Sequence, residues 1–225
     1  MELSEETLSI LRNFSGINQN ILINSGSTIK TISEARNVLA TAHVTEEFEN
    51  SFGIYDLNEF IGVLGLVDTP RLKFESEHVT VSDSTGRSKV KYFFSSEETL
   101  TTPSKDINMP DADVSFVLTN DTLNKLKRAA STLGHDELSI TGKDGILNLS
   151  IIDNHNATSN AFSIDIDGDI KTDVSFNFIL SISNLKILPG DYEVDISSKL
   201  ITQFKNKEVN VTYWIALEKT SRFGV

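Results

Sequence analysis

Apolar positions along this chain change period several times, and the changes come in the same order twice. Leu8, Leu11 and Phe14 recur at helical spacing behind Ser4, so they share one face of a helix. Ser4 is a suitable N-cap, because its hydroxyl oxygen can accept an orphan backbone N–H. Leu3 and Leu8 hold the two positions of a hydrophobic staple, and Glu5 and Glu6 sit where the helix dipole favours negative charge. The helix is predicted to end near Gly16. A second stretch repeats every feature. Thr119 caps, Leu118 and Leu123 staple, Asp121 answers the dipole, and Leu123, Leu126, Ala130 and Leu133 form the stripe. Gly134 stops it.

Between and after these helices the period falls to two. Segments 20–24 and 28–33 flank Ser25-Gly26-Ser27 and read as a hairpin, as do 138–141 and 146–151 around Lys143-Asp144-Gly145. Further strands are predicted at 38–44, 52–55, 71–74, 79–82 and 89–94. The second half adds 161–166, 174–180, 192–197, 201–204 and 209–217. Each half is also predicted to carry one short helix. Asp56 caps one running to about Val67, and Ser181 caps one running to about Leu188, where Pro189-Gly190 ends it.

The correspondence extends to residues. Leu3, Ser4, Thr7, Leu8, Leu11 and Arg12 match Leu118, Thr119, Thr122, Leu123, Leu126 and Lys127. Ile21, Ile23, Ile29 and Ile32 answer to Leu138, Ile140, Ile146 and Leu149. Ile54, Leu57 and Phe60 stand at about the places of Ile179, Ile182 and Leu185. Each half therefore reads helix, strands, helix, strands. That is an α+β architecture of two similar domains, each with two helices packed on antiparallel sheet. The domains are expected at 1–96 and 114–225, joined by a linker at 97–113 that is rich in Thr, Ser and Pro and poor in periodicity. A chain built from two copies of one unit invites assembly into a larger symmetric object.

Composition narrows the class. With 225 residues, 39% of them apolar, the chain can bury two cores. No apolar run approaches the ~20 residues of a membrane span, so no membrane partner is expected. The acidic start, Met1-Glu2-Leu3-Ser4-Glu5, lacks the basic region of a secretory signal. There is no cysteine, which fits a reducing cytoplasm and excludes thiolate metal sites. His43, His78, His135 and His155 are too scattered to form a ligand set, and no metal or cofactor is expected.

No catalytic constellation stands out. Asp165-Ile166-Asp167-Gly168-Asp169 resembles a calcium loop only at first sight. Its glycine comes at the fourth place and its twelfth place is Phe176, where the calcium loop needs glycine sixth and a bidentate Glu. It reads as a strand end and an acidic turn. Gly142-Lys143-Asp144-Gly145 lacks phosphate-loop spacing, and no nucleophile elbow appears.

Net charge is −12, which argues against nucleic-acid binding when taken as a sum. Its distribution argues otherwise. At about 100° per residue from Leu123, the buried stripe centres near roughly 310° and Arg128 points almost directly away. Lys125 and Lys127 lie on the flanks, and Asp121 is the only acid of that helix. Arg12 takes the place of Lys127 on the first helix, and Lys186 is the only charge on the short second-half helix. If several units close into a ring with helices inward, Arg12, Lys125, Lys127, Arg128 and Lys186 line the bore. Asp56 and Glu59, on the remaining helix, break that basic lining.

These features sit beside a family likeness. The opening helix 3–14, Ile54-Tyr55-Asp56-Leu57-Asn58 with Phe60 and Leu64-Gly65-Leu66-Val67, Phe176-Asn177-Phe178-Ile179 with Pro189-Gly190-Asp191-Tyr192, and Tyr213-Trp214-Ile215-Ala216-Leu217-Glu218 resemble the sliding clamps of T4-like bacteriophages, the DNA polymerase processivity factors. The resemblance implies a DNA-clamp fold assembled as a closed homotrimeric ring around duplex DNA, read without sequence preference. It implies as partners a DNA polymerase, an ATP-dependent clamp loader and late-transcription factors, in the cytoplasm of an infected bacterial host, with no catalysis by the clamp. It places a partner-peptide pocket at Met109, Pro110, Trp214, Ala216 and Leu217. It also places a subunit joint between strand 89–94 and a neighbour's 161–166, including Lys89, Lys91, Tyr92, Phe93, Phe162 and Ile164. The alternative is a β-rich trimeric phage structural protein, which does not require basic helices in register with the repeat.

Overall fold

A computed structural model describes residues 1–156 and 158–224. The chain forms two compact units, Met1–Asp106 and Ile107–Val225.

In the first unit, helix α1 (Glu5–Ile17) starts as its residues dictate: the Thr7 N–H donates to Ser4 Oγ at 3.1 Å. It buries Leu8, Ile10, Leu11, Phe14 and Ile17 against α2 (Leu57–Leu64) and β3 (Val38–Phe48). Ile10 and Phe14 are wholly enclosed, each contributing about 1.5–3 kcal/mol by leaving water. Strands β1 (Ile21–Ile23), β2 (Gly26–Ile32), β3 and β4 (Phe52–Ile54) pair antiparallel in the order β3-β2-β1-β4. A second antiparallel sheet follows: β5 (Arg71–Phe74), β6 (His78–Ser82) and β7 (Lys89–Phe93), with β7 at its edge. Phe48, Phe52, Phe74 and Phe94 join the two sheets through ring contacts, the Phe52 and Phe74 centroids lying 4.9 Å apart. Asp56 caps α2 by accepting from the Glu59 N–H at 3.0 Å, and α2 stops at Leu64, three residues before the expected end at Val67.

The β3 strand outruns its expected end at Val44 because Glu46, at an inward position, is buried and bonded. Its carboxylate accepts the Ser4 N–H and, at 2.5 Å, the Thr7 hydroxyl. A carboxylate from β3 thus finishes the cap of α1.

In the second unit β8 (Val114–Leu118) leads into α3 (Asn120–Leu133), capped by Thr119 and closed by Gly134 in the left-handed conformation, φ 70°. Strands β9 (Glu137–Lys143) and β10 (Ile146–Ile152) form the expected hairpin. Asp144 and Gly145 both have positive φ, 54° and 81°, the two-residue turn whose twist matches its strands. Strands β11 (Phe162–Asp167), β13 (Phe176–Ser181) and β17 (Arg222–Phe223) complete a sheet in the order β11-β10-β9-β13-β17, with β11 at one edge. Strands β12 (Asp169–Ile170), β8, β14 (Tyr192–Ser197), β15 (Ile201–Asn206) and β16 (Val211–Ala216) follow one another in a further antiparallel run.

The helix expected after Ser181 does not form. Ser181 ends β13, and its hydroxyl donates to Asp136 at 2.5 Å instead of capping. The Ile182 N–H donates to the Asp136 carbonyl and the Ser183 N–H to its carboxylate. Only a 3₁₀ turn, Ile182–Asn184, results, and Pro189 disfavours helix just upstream. The residue correspondence also slips: Ile29 is enclosed, whereas Ile146 is 46% exposed and Leu147 turns inward in its place.

Candidate nucleic-acid and assembly surfaces

Helix α3, of 14 residues, is about 21 Å long. It buries Thr122, Leu123, Leu126 and Ala130, while Leu133 is only half-covered. Arg128 lies exposed on the opposite side, as the wheel requires, and Lys125 and Lys127 are half-buried on the flanks. Lys125 Nζ pairs with Asp121 at 2.6 Å, one turn back. Burial pushes the Lys127 ammonium below its ordinary pKa. Beyond Arg128, a groove of about 570 Å³ runs between α3 and the start of β11, lined by Lys125, Arg128, Ala129, Thr132, Leu133, Ala161 and Phe162.

Lys186 is exposed but stands after the 3₁₀ turn rather than on an α-helix. In the first unit Arg12 is exposed on α1. That helix carries this one base against Glu5 and Glu6, and α2 carries Glu59 with no base. Cationic excess therefore belongs to α3, not to every helix.

The residues expected at the joint fall into two sets. On β7, Lys89, Lys91 and Phe93 are exposed, whereas Tyr92 turns inward. The Tyr92 hydroxyl donates to the Asp56 carbonyl at 3.1 Å and its ring packs edge-on against Phe60. On β11, Phe162 and Ile164 are half-buried on the face shared with Leu149 and Ile151. Ser163, Asp165 and Asp167 are exposed on the other face. Ser163 and Asp165 lie within the expected 161–166 without having been singled out, and Asp167 lies just beyond it.

The expected pocket residues divide as well. Trp214 and Ala216 are half-exposed on one face of β16; Leu217 is buried with the parity of Tyr213 and Ile215. Met109 and Pro110 are half-exposed before β8. Asp165 and Asp167 lie on β11, Gly168 follows it with its N–H donating to the Gly145 carbonyl at 2.9 Å, and Asp169 opens β12, so the acidic run joins two strands and the expected acidic turn does not form. Among the described residues no group of His, Cys, Asp and Glu is placed to hold a metal. No helix among them is long and apolar enough to cross a membrane.

Two units of capped helix on antiparallel sheet make this a clamp fold. The structure superposes on a PCNA2–PCNA3 complex chain from Sulfolobus tokodaii with a TM-score of 0.67 at 14% identity, covering 97% of this chain and 98% of that one. Against the proliferating cellular nuclear antigen of Entamoeba histolytica the TM-score is 0.69, also at 14% identity, covering 96% and 97%. Residues 115–219 match the family described as gp45 sliding clamp, C terminal. The sequence is 30% identical to the sliding clamp of Vibrio phage KVP40, spanning 97% of this chain and 99% of that one. It is 31% identical to the sliding clamp of Escherichia phage RB69, spanning 98% of each. The chain belongs to the sliding-clamp family of the T4-like bacteriophages.

Proposed function

We propose that three copies close edge to edge into a ring that encircles duplex DNA and tethers a DNA polymerase to it during phage DNA replication. The observation that carries this reading is the cationic outer side of α3, with Arg128 exposed, in a clamp-fold protein whose net charge is −12. Cations toward the duplex and acids elsewhere let an acidic protein accept DNA. Contacts of this kind touch phosphates and carry no base readout, so the ring can move along the helix axis. Retention comes from topology: a closed ring leaves a duplex only at an end.

In this reading the clamp catalyses nothing. An ATP-dependent loader opens the ring, and polymerase or late-transcription factors dock through apolar tails near Met109, Pro110, Trp214 and Ala216, in the cytoplasm of the infected host. The domains correspond to 1–96 and 114–225. The test is a loader-driven assay on nicked circular DNA. Clamp should stay on circles and be lost after linearisation; equal loss from both would end the proposal. Charge reversal of Lys127 and Arg128 should impair loading or sliding, whereas a purely structural phage protein would be unaffected.

A further inference from the structure

Helix α3 carries an acid on the side proposed to meet DNA, and the helix start is complete without it. We infer that Asp121 is a positioning residue of that surface: it holds the Lys125 ammonium off the phosphates and so sets how lightly α3 grips a duplex. This deepens the ring proposal and rests on it.

An acid in the first turn of a helix ordinarily answers the dipole and the free N–H groups there. Other residues already do this for α3. Thr119 Oγ1 accepts the Thr122 N–H at 3.2 Å. The Asp191 carboxylate, just ahead of β14, accepts the Asn120 N–H at 2.8 Å and brings a negative charge to the same end. The Asn120 side-chain oxygen in turn accepts the Gly190 N–H at 3.2 Å. The start of α1 is built the same way, with Ser4 as the cap and the Glu46 carboxylate brought in from β3. Among the described residues Asp121 bonds to no helical N–H, and its one polar contact is Lys125 Nζ at 2.6 Å.

Position makes that contact matter. Counted from Leu123 at about 100° per residue, Asp121 stands at roughly 160° and Arg128 at roughly 140°, both opposite the buried stripe. The Asp121 side chain is 72% exposed and that of Lys125 43%, so the pair lies on the side that would face phosphate. In the repeat, Glu6 of α1 stands where α3 has Asp121, and Ile10 stands where it has Lys125. The pair therefore belongs to the second unit alone.

A lysine with a fixed counter-ion releases little salt when a phosphate approaches, and the carboxylate beside it repels that phosphate. An exposed pair one turn apart adds little to stability, so Asp121 can be changed while α3 keeps its shape.

A short blunt-ended duplex admits a closed ring over its end, so affinity is read without a loader. Fluorescence anisotropy of such a duplex, of mixed sequence, is titrated with clamp between about 50 and 200 mM salt. Asp121→Asn should steepen the salt slope by about 2.7 in a ring of three, at ~0.9 per freed lysine, and multiply the loss of affinity across that range by about 40. Asp121→Glu keeps an acid one turn before Lys125 and should keep the parent slope. With Lys125→Gln in the same chain, Asp121→Asn should also leave the parent slope, because no ammonium is freed. Thermal melting of each variant runs in parallel. An unchanged slope for Asp121→Asn overturns the inference, and an early melt beside it marks a residue that only steadies the helix. A steeper slope that survives the loss of Lys125 overturns it too. Either result leaves the ring standing. A parent protein lost equally from nicked circles and linear DNA overturns both.

Discussion

Glu46→Gln tests how the base-bearing helix α1 is held on its sheet. Glu46 is 8% exposed, and among the described residues it has no cation within ion-pair distance. Burial pushes its carboxyl up. Hydrogen bonds from the Thr7 hydroxyl, the Ser4 backbone and hydroxyl and its own backbone outweigh that and hold it below the usual glutamate range. Glutamine keeps one acceptor oxygen and turns the other into a donor, so one charge-assisted bond is lost, worth about 1.5–3 kcal/mol. The negative charge at the start of α1 goes too, worth roughly another 0.3–1 kcal/mol. The expected loss is about 2–4 kcal/mol. For a unit of about this size each kcal/mol moves Tm by ~4 °C, so the first unit should melt about 8–16 °C lower.

The pH arm separates this account from simple loss of packing. A depressed folded pKa means that the stabilisation is complete above the unfolded glutamate value, about 4.3, and is lost as pH falls through the lower folded value. The advantage of the parent over the variant, measured by urea unfolding, should therefore be constant at neutral pH and shrink only below about pH 4.3. A variant within about 0.5 kcal/mol of the parent at pH 7, the range of an ordinary surface change, would refute the argument, as would a gap that persists at the acid end.

At Gly53, an added Cβ would meet the Ser95 carbonyl oxygen at 2.5 Å and Leu100 Cδ1 at 2.7 Å. Gly53→Ala should cost about 1–3 kcal/mol and speed hydrogen exchange at the Ser95 N–H, which now donates to the Gly53 carbonyl; unchanged protection there would contradict the contact. Tyr213→Phe removes the acceptor of the buried Leu188 N–H at 3.2 Å and should cost about 1–3 kcal/mol, with a fully stable variant as the contrary result. Burial also raises the Tyr192 pKa to about 12. Stability should hold below the unfolded tyrosine value and fall as pH climbs from there toward about 12; a flat alkaline profile would disprove enclosure. Arg128→Glu should impair loading onto nicked circles more than Lys125→Glu, because Asp121 already offsets Lys125; the reverse order would dismiss Arg128 as the principal contact.

What could be read along the chain was what short-range chemistry decides. Ser4, Thr119, Asp56 and Gly134 cap or end helices within a few residues of themselves, and all four act as expected. The Asp144-Gly145 turn is equally local. Errors came where a distant partner intervened. Glu46 looks like a strand terminator until α1 lies over it. Ser181 looks like a cap until Asp136, 45 positions earlier, takes its hydroxyl. The short strands β8, β12 and β17 carry too few alternations to stand out, and Arg222–Phe223 is a strand only because β13 offers its edge. Of the candidate surfaces, the α3 wheel placed Arg128 correctly. Parity along β7 and β16, which separates Phe93 from Tyr92 and Trp214 from Leu217, is legible in the alternation of those strands.

The state of the α3 bases bears on how a ring of such subunits would hold DNA. Asp121 offsets Lys125 and burial disfavours the charge on Lys127, which leaves Arg128 as the one exposed cation of the helix. The three α3 helices of a trimer would then offer about three strong phosphate contacts, beside those of the exposed Arg12 and Lys186, and a salt slope from α3 near −2.7 at ~0.9 per contact. Between 50 and 200 mM salt that amounts to about a 40-fold loss of affinity, against ~10³–10⁵ for a protein making six to ten contacts. So few charges on α3 alone would not keep a protein on DNA by affinity, and a heavily charged surface would resist movement. In a ring of such subunits that weakness would suit sliding, and retention would then fall to the joints between protomers.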